Sequence, residues 1–214
     1  MRTIYKDQEP RSLTHHRATP GATYENYTGK DDLRLSLVAE QRGICCYCMS
    51  RIRPDPCSMK IEHWRPQSEY PNEQLTYSNL LASCLGGEGQ PVDRQHCDTR
   101  KGESDLSVNP ANRDARVEER IQYLSNGEIV GTSDELNWQL NNVLNLNLPT
   151  LIENRKAALT GFLDSLRKCR DPGREHWERK KREWNGDSQT GALRPFCQVI
   201  VYWLEKRIRR YRRI

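Results

Sequence analysis

Cys45-Cys46-Tyr47-Cys48 opens the stretch that decides the fold. It continues through Lys60-Ile61-Glu62-His63-Trp64-Arg65-Pro66 and Ser78-Asn79-Leu80-Leu81-Ala82-Ser83-Cys84, and closes with His96-Cys97-Asp98-Thr99-Arg100-Lys101-Gly102. A Cys-x-x-Cys pair followed by two further cysteines supplies four thiolates, the full complement of a structural tetrahedral Zn²⁺. Cys45, Cys48, Cys84 and Cys97 are the expected ligands, and Cys46 stands close enough in sequence to replace either neighbour. Between the cysteine pairs, Ser58 to Trp64 reads as a strand with Met59 and Ile61 on one face, ended by Arg65-Pro66. Residues 67 to 77 read as a polar loop and Asn79 to Ser83 as a second apolar strand. Twelve residues, glycine-rich, separate Cys84 from Cys97, where a helix is expected to begin. Strand, loop, strand and helix gripping an ion make a ββα-metal core.

Upstream, residues 1 to 29 are rich in Pro, Thr, Tyr and Gly and read as an extended arm, with His15 and His16 an exposed loop pair. A helix is signalled from Asp31 or Asp32 by an acidic N-cap, apolar Leu33, Leu37 and Val38, and a stop at Gly43. Downstream, Ile121 to Val130 carries Asn126-Gly127 at its centre, a hairpin signal. From Asp134 the periodicity is helical. Leu136, Leu140, Val143 and Leu144 share one face, and Leu151, Ile152, Leu159, Phe162, Leu163 and Leu166 share another. Lys168 to Asp187 is charged and holds Trp177 and Trp184; a last helix aligns Phe196, Val199, Ile200, Trp203, Leu204 and Ile208. The stripes read as packing surfaces. The expected fold is therefore α+β: an N-terminal arm and helix over 1–43, the stapled core over 44–112, and a hairpin and mainly helical region over 113–214. Residues 134 to 214 are the expected surface for a partner protein.

Composition narrows the class. Of 214 residues, 35% are hydrophobic and 29% charged, so the core is lean. The eight cysteines are unevenly spaced, and Met1 to Pro10 contains no apolar run, which favours reduced thiols and metal over a secreted disulfide framework. The longest apolar run, Val199 to Leu204, is too short to cross a bilayer. A soluble cytoplasmic chain with no membrane contact is expected. The net charge of +5 lies wholly in the last ten residues, where Lys206, Arg207, Arg209, Arg210, Arg212 and Arg213 face only Glu205. Such a tail is either a solvated helix end, where the dipole favours cations, or a contact to phosphates or an acidic partner. No phosphate-cradling Gly-Lys-Ser/Thr loop occurs.

The residue types in the core suit phosphodiester hydrolysis, which needs a deprotonated water and charge relief at the phosphate. A neutral imidazole takes the proton and a divalent cation acts as Lewis acid. His63 is the expected base, with Glu62 and Asp98 as hard-oxygen ligands for Mg²⁺ (or Mn²⁺). Asn79 suits fixing the loop and His63 by hydrogen bonds. Arg65, Arg100 and Lys101 are expected to hold phosphates, joined by Lys206, Arg207, Arg209 and Arg210 of the tail. Successive strand residues point to opposite faces, so Glu62 and His63 face one ion together only if the strand twists or ends between them.

Cys-x-x-Cys, Glu-His-x-x-Pro, Asn-Leu, Cys and a closing Cys-x-x-x-Lys together resemble an HNH endonuclease with a four-cysteine zinc staple. By that resemblance Cys45, Cys48, Cys84 and Cys97 take the zinc positions, His63 the general-base position and Asn79 that of the central asparagine. Asp98 stands where the motif usually ends in His or Asn. The Met1-Arg2-x-Ile4-x-Lys6 opening, the helix before Cys-x-Tyr-Cys, and Leu144-Asn145-Leu146-Asn147 resemble PtuB, the HNH subunit of retron and Septu anti-phage systems. That resemblance implies nuclease activity on DNA or RNA, a PtuA-like ATPase partner, and a role in phage defence. The competing reading is a non-catalytic, zinc-stapled nucleic-acid-binding module whose Glu62 and His63 are incidental.

Overall fold

The computed structural model describes residues 1–167, 173–187 and 191–211; Lys168, Cys169, Arg212 and Arg213 lie outside the described residues. The N-terminal segment departs from the expected extended arm. Arg11–Arg17 form a helix, α1, that buries Leu13 completely. The residues before it are tied down. The Ile4 N–H donates to the Pro110 carbonyl at 2.8 Å, and Glu118 accepts from the Thr3 N–H at 2.6 Å. Lys6 pairs with Glu40 at 2.8 Å. Two buried apolar anchors, Met1 and Ile4, make this a packed element despite its loop-like composition.

α2 (Lys30–Glu40) begins just before Asp31 and Asp32, which sit in its first turn, where negative charge favours the helix dipole, with no side-chain cap. Leu33 and Leu37 are fully buried. Just beyond, the Gln41 amide donates to and accepts from the Ala82 backbone, both at 2.7 Å, as a neighbouring strand would.

β1 (Met59–His63) and β2 (Leu80–Cys84) pair antiparallel, Met59 opposite Cys84 and His63 opposite Leu80. Every β2 residue is buried, as its continuous apolar run requires. The Leu85–His96 connection folds back through Gly86, at φ +58, where a Cβ would lie 2.1 Å from the His96 carbonyl oxygen. Only glycine permits that approach. It sets Cys84 beside Cys97, the first residue of α3 (Cys97–Lys101).

The second hairpin joins β3 (Ile121–Tyr123) to β4 (Ile129–Gly131). α4 (Asp134–Trp138) is capped by Ser133 Oγ, which accepts from the Leu136 N–H at 3.2 Å, and loosens into a wider π turn over Gln139–Val143. α5 (Pro149–Ser165) carries Arg155, only 2% exposed, whose Nε donates to the Gly127 carbonyl at 2.6 Å and Nη2 to the Leu146 carbonyl at 2.8 Å. One arginine thereby fastens the hairpin tip to α5. α6 (Arg174–Asn185) and α7 (Cys197–Arg210) pack against each other, and α7 also meets α5 and β3. Edge-to-face pairs link Phe162 to Trp184 and Trp203, and Trp177 to Trp203. Trp177 is buried in the core, and Trp184 and Trp203 are half-buried against it.

The result is a mixed α+β protein with two small sheets. Backbone bonds cross between its parts: Cys97 N–H to the Leu144 carbonyl at 2.9 Å, and Phe196 N–H to the Met49 carbonyl at 3.2 Å. Among the described residues, no helix is long and apolar enough to cross a membrane.

Candidate metal centre and active site

The sulfurs of Cys45, Cys48, Cys84 and Cys97 lie within 4.8 Å of one another, all buried. Cys48 and Cys84 are 3.6 Å apart, Cys45 and Cys97 3.9 Å. A disulfide is about 2.05 Å long, so these are free thiols. A tetrahedron of thiolates at a Zn–S distance of about 2.3 Å has edges of about 3.8 Å, and the donor set fits structural Zn²⁺. The Cys45–Cys48 knuckle is closed by backbone bonds, Met49 N–H to the Cys45 carbonyl at 3.1 Å and Cys45 N–H to the Ser50 carbonyl at 2.9 Å. Met49 (φ +65) and Cys97 (φ +55) both adopt left-handed backbone, a local strain that the surrounding bonds hold in place. Backbone N–H groups of Ser50 and Cys84 point at the sulfurs of Cys48 and Cys45, at 3.4 and 3.3 Å. His96 Nδ1 stands 3.1 Å from the Cys97 sulfur, in the position of a second-layer hydrogen bond to a ligand. Cys46 is outside the cluster; burial pushes its thiol pKa well up, and its N–H donates to the Ala82 carbonyl.

Beside the cysteines lies a buried polar group built on β1 and α3. Glu62, 2% exposed, accepts from the Tyr47 hydroxyl at 2.6 Å and faces Lys101 Nζ at 3.0 Å. Burial, and next the adjoining Asp98 carboxylate, drive the Glu62 pKa well above the usual carboxylate range; Lys101 and Tyr47 oppose the rise. Glu62 and Asp98 are thus brought together as two crowded carboxylates. Lys101 was expected at a phosphate. Its side chain is instead 1% exposed and donates to the His63 carbonyl at 3.0 Å as well as pairing with Glu62. It is an internal counter-ion, because one helical turn from Cys97 points it inward.

His63 faces the other way. Its Nε2 is 3.0 Å from the Gln74 carbonyl oxygen, which only accepts. That nitrogen therefore carries the proton, and Nδ1, without a hydrogen-bond partner among the described residues, carries the lone pair. Burial lowers the His63 pKa below its ordinary 6.5, against the Gln74 bond and the Asp98 charge, so the ring is neutral at neutral pH. The Tyr24 ring meets it edge-on at 4.5 Å. Gln74 holds both partners, since its side-chain oxygen accepts from the Tyr24 N–H at 2.8 Å. Asn79 clasps the segment after β1, accepting from the Arg65 N–H at 2.7 Å and donating to the carbonyls of Arg65 at 3.1 Å and Glu73 at 3.3 Å. It does not touch the imidazole; it fixes the turn that presents Gln74.

Of the remaining cations, Arg65 pairs with Glu73 and lies over the Tyr70 ring. Arg100 donates to the Val92 carbonyl at 3.0 Å. Arg207 lies over the Trp177 ring and Lys206 over Tyr202, while Arg209 and Arg210 are exposed at the end of α7. Tyr24 and Gln74 lie in loops, where residue type gives no sign of the contact; Tyr47 was within reach of the sequence, from its place beside Cys48.

The fold and centre define a small α+β protein stapled by a buried four-cysteine cluster suited to zinc. No family model matches the chain. Over 82 residues, 38% of this chain, it is 30% identical to the Septu protein PtuB of Bacillus thuringiensis. The match takes in 28% of that protein's length.

Proposed function

We propose that the chain is a metal-dependent HNH endonuclease, the nucleic-acid-cutting subunit of an anti-phage defence complex of the Septu or retron type. The observation that carries the reading is His63: a neutral imidazole with Nε2–H committed to a backbone carbonyl and Nδ1 open, one residue from the Glu62–Asp98 carboxylate pair. β1, β2 and α3 then form the ββα-metal core. His63 Nδ1 takes the proton of the attacking water, and the Gln74 carbonyl stabilises the imidazolium that results. Asp98 would hold Mg²⁺ (or Mn²⁺), which when bound supplies Lewis acidity at the scissile phosphate and the leaving oxygen. Glu62, expected as a second ligand, is taken up by Lys101 and Tyr47 on the side away from His63 and positions Asp98 instead. Lys101 keeps Glu62 in place, and Asn79 keeps the Gln74 turn in register. Arg65 and Arg100 flank the core as phosphate contacts once released from Glu73 and Val92.

Similarity to a Septu protein supports the defence setting. In this reading a PtuA-like ATPase docks on residues 134–214 and aims a nuclease that reads no base edges by itself. The test is incubation of the zinc-loaded chain, alone and with the ATPase encoded beside it, with plasmid, single strands and total RNA. Mg²⁺-dependent cleavage lost in His63→Ala supports the reading; nucleic-acid binding without cleavage under every condition would leave the non-catalytic module.

A further inference from the structure

A cleft of about 670 Å³ opens between the N-terminal segment, the stretch leading into β3, and one face of α6 and α7. Its wall carries five cations, Arg113, Arg116, Lys181, Lys206 and Arg209, against three carboxylates. Those carboxylates are engaged: Glu205 with Lys181 at 2.7 Å, Glu119 with Arg116 at 3.8 Å, and Glu118 with the Thr3 hydroxyl and N–H at 2.7 and 2.6 Å. Arg113, Lys206 and Arg209 therefore face the cleft with no carboxylate partner among the described residues.

Two more features give the cleft a chemical direction. Gln198, on the α7 face that lines it, is only 3% exposed, and its Oε1 is buried with no hydrogen-bond partner. A buried carbonyl without a donor is costly to keep, so a turn of this amide into the cleft, where a ligand's N–H can meet it, is favoured. Aromatic surface lies alongside. Tyr5 is 60% exposed with Arg113 over its ring at 4.8 Å, and Tyr202 carries Lys206 at 4.5 Å.

We infer that this cleft binds a nucleoside phosphate whose base carries an amino group. Arg113, Lys206 and Arg209 hold the phosphate, Tyr5 offers a ring face to the base, and Gln198 Oε1 accepts from the exocyclic amine. The volume suits one nucleotide unit, since ligand sites of this kind run from about 300 to 1,000 Å³. The unit comes either from a free nucleotide or from one position of a bound strand. Neither source depends on cleavage at His63.

Binding is measured by calorimetry on the zinc-loaded full chain without added Mg²⁺, using AMP, UMP, penta-adenylate and penta-uridylate. The adenine ligands should bind about tenfold tighter than the uracil ones, the worth of one good hydrogen bond. The Gln198→Leu protein should keep or raise its melting temperature while losing that preference. Arg113→Ser with Arg209→Ser should weaken all ligands about tenfold or more and flatten the salt dependence, which on single strands falls by about 0.7 in log K per phosphate contacted. AMP binding as well as the oligomer identifies the free nucleotide as the source; binding of the oligomer alone identifies a strand. The inference is overturned if none of the four ligands binds at millimolar concentration. It is equally overturned if poly-glutamate binds as well as penta-adenylate, or if the double arginine variant binds like wild type.

Discussion

Lys101 Nζ lies 3.0 Å from the Glu62 carboxylate and 3.0 Å from the His63 carbonyl, so one buried ammonium ties together the two adjacent residues whose side chains face opposite ways. Removing one partner of a buried pair strands the other, at a cost of about 3–5 kcal/mol. Lys101→Met should therefore lower stability by that order in denaturant unfolding of the zinc-loaded protein, and adding Glu62→Gln should recover much of it. A Lys101→Met protein as stable as wild type would show that the pair carries no structural weight.

Elemental analysis should find about one zinc per chain. Cys48→Ser should lose the metal and unfold the core, because zinc binding and folding are one equilibrium in such sites. Cys57→Ser and Cys46→Ala should retain zinc, since neither sulfur belongs to the cluster. A Cys48→Ser protein with a full zinc complement would refute the assignment.

Asn79→Ala removes three hydrogen bonds to the segment after β1. Each buried group left unpaired costs about 1–3 kcal/mol. The Gln74 turn should loosen, and cleavage should fall further than stability alone explains while zinc stays bound. Activity unchanged in a folded Asn79→Ala protein would remove Asn79 from the positioning scheme.

The His63 pKa is lowered in the fold, chiefly by burial. The sign follows from linkage: the unfolded chain takes up the proton first, so stability holds above pH 6.5 and declines as pH falls from there to the folded value. Replacing His63 by Gln should remove that portion of the acid loss. Cleavage should likewise stay on its plateau below pH 6.5 before dropping. An acid limb starting above 6.5 would mean that some other group titrates.

The core was legible because cysteine spacing, a strand-ending Glu-His-x-x-Pro and an apolar Asn-Leu-Leu run each encode a local constraint. β1 and β2 fall within a residue of the expected bounds, and the hairpin at Asn126-Gly127 follows from turn chemistry. The N-terminal helix was hidden because Leu13 is its only fully buried residue, too little for a periodicity. Lys101 was misread because a sequence does not tell a buried cation from an exposed one. The same holds for Arg207, which lies over the Trp177 ring, while Ile208 is buried as its place on the apolar stripe implies; deleting the basic tail would thus damage the core, and charge-removing substitutions at Arg209 and Arg210 are the cleaner probe.

The most direct measurement is Mg²⁺-dependent cleavage by wild type and His63→Ala side by side, each with the PtuA-like ATPase proposed above as its partner and each checked for one zinc and a normal unfolding midpoint. Loss of a general base typically lowers the rate by about 10²–10⁴-fold, and that is the drop predicted for His63→Ala in a protein that keeps its metal, its fold and its partner. Equal cleavage by the two proteins would contradict the assignment of His63 and with it the catalytic reading of the site.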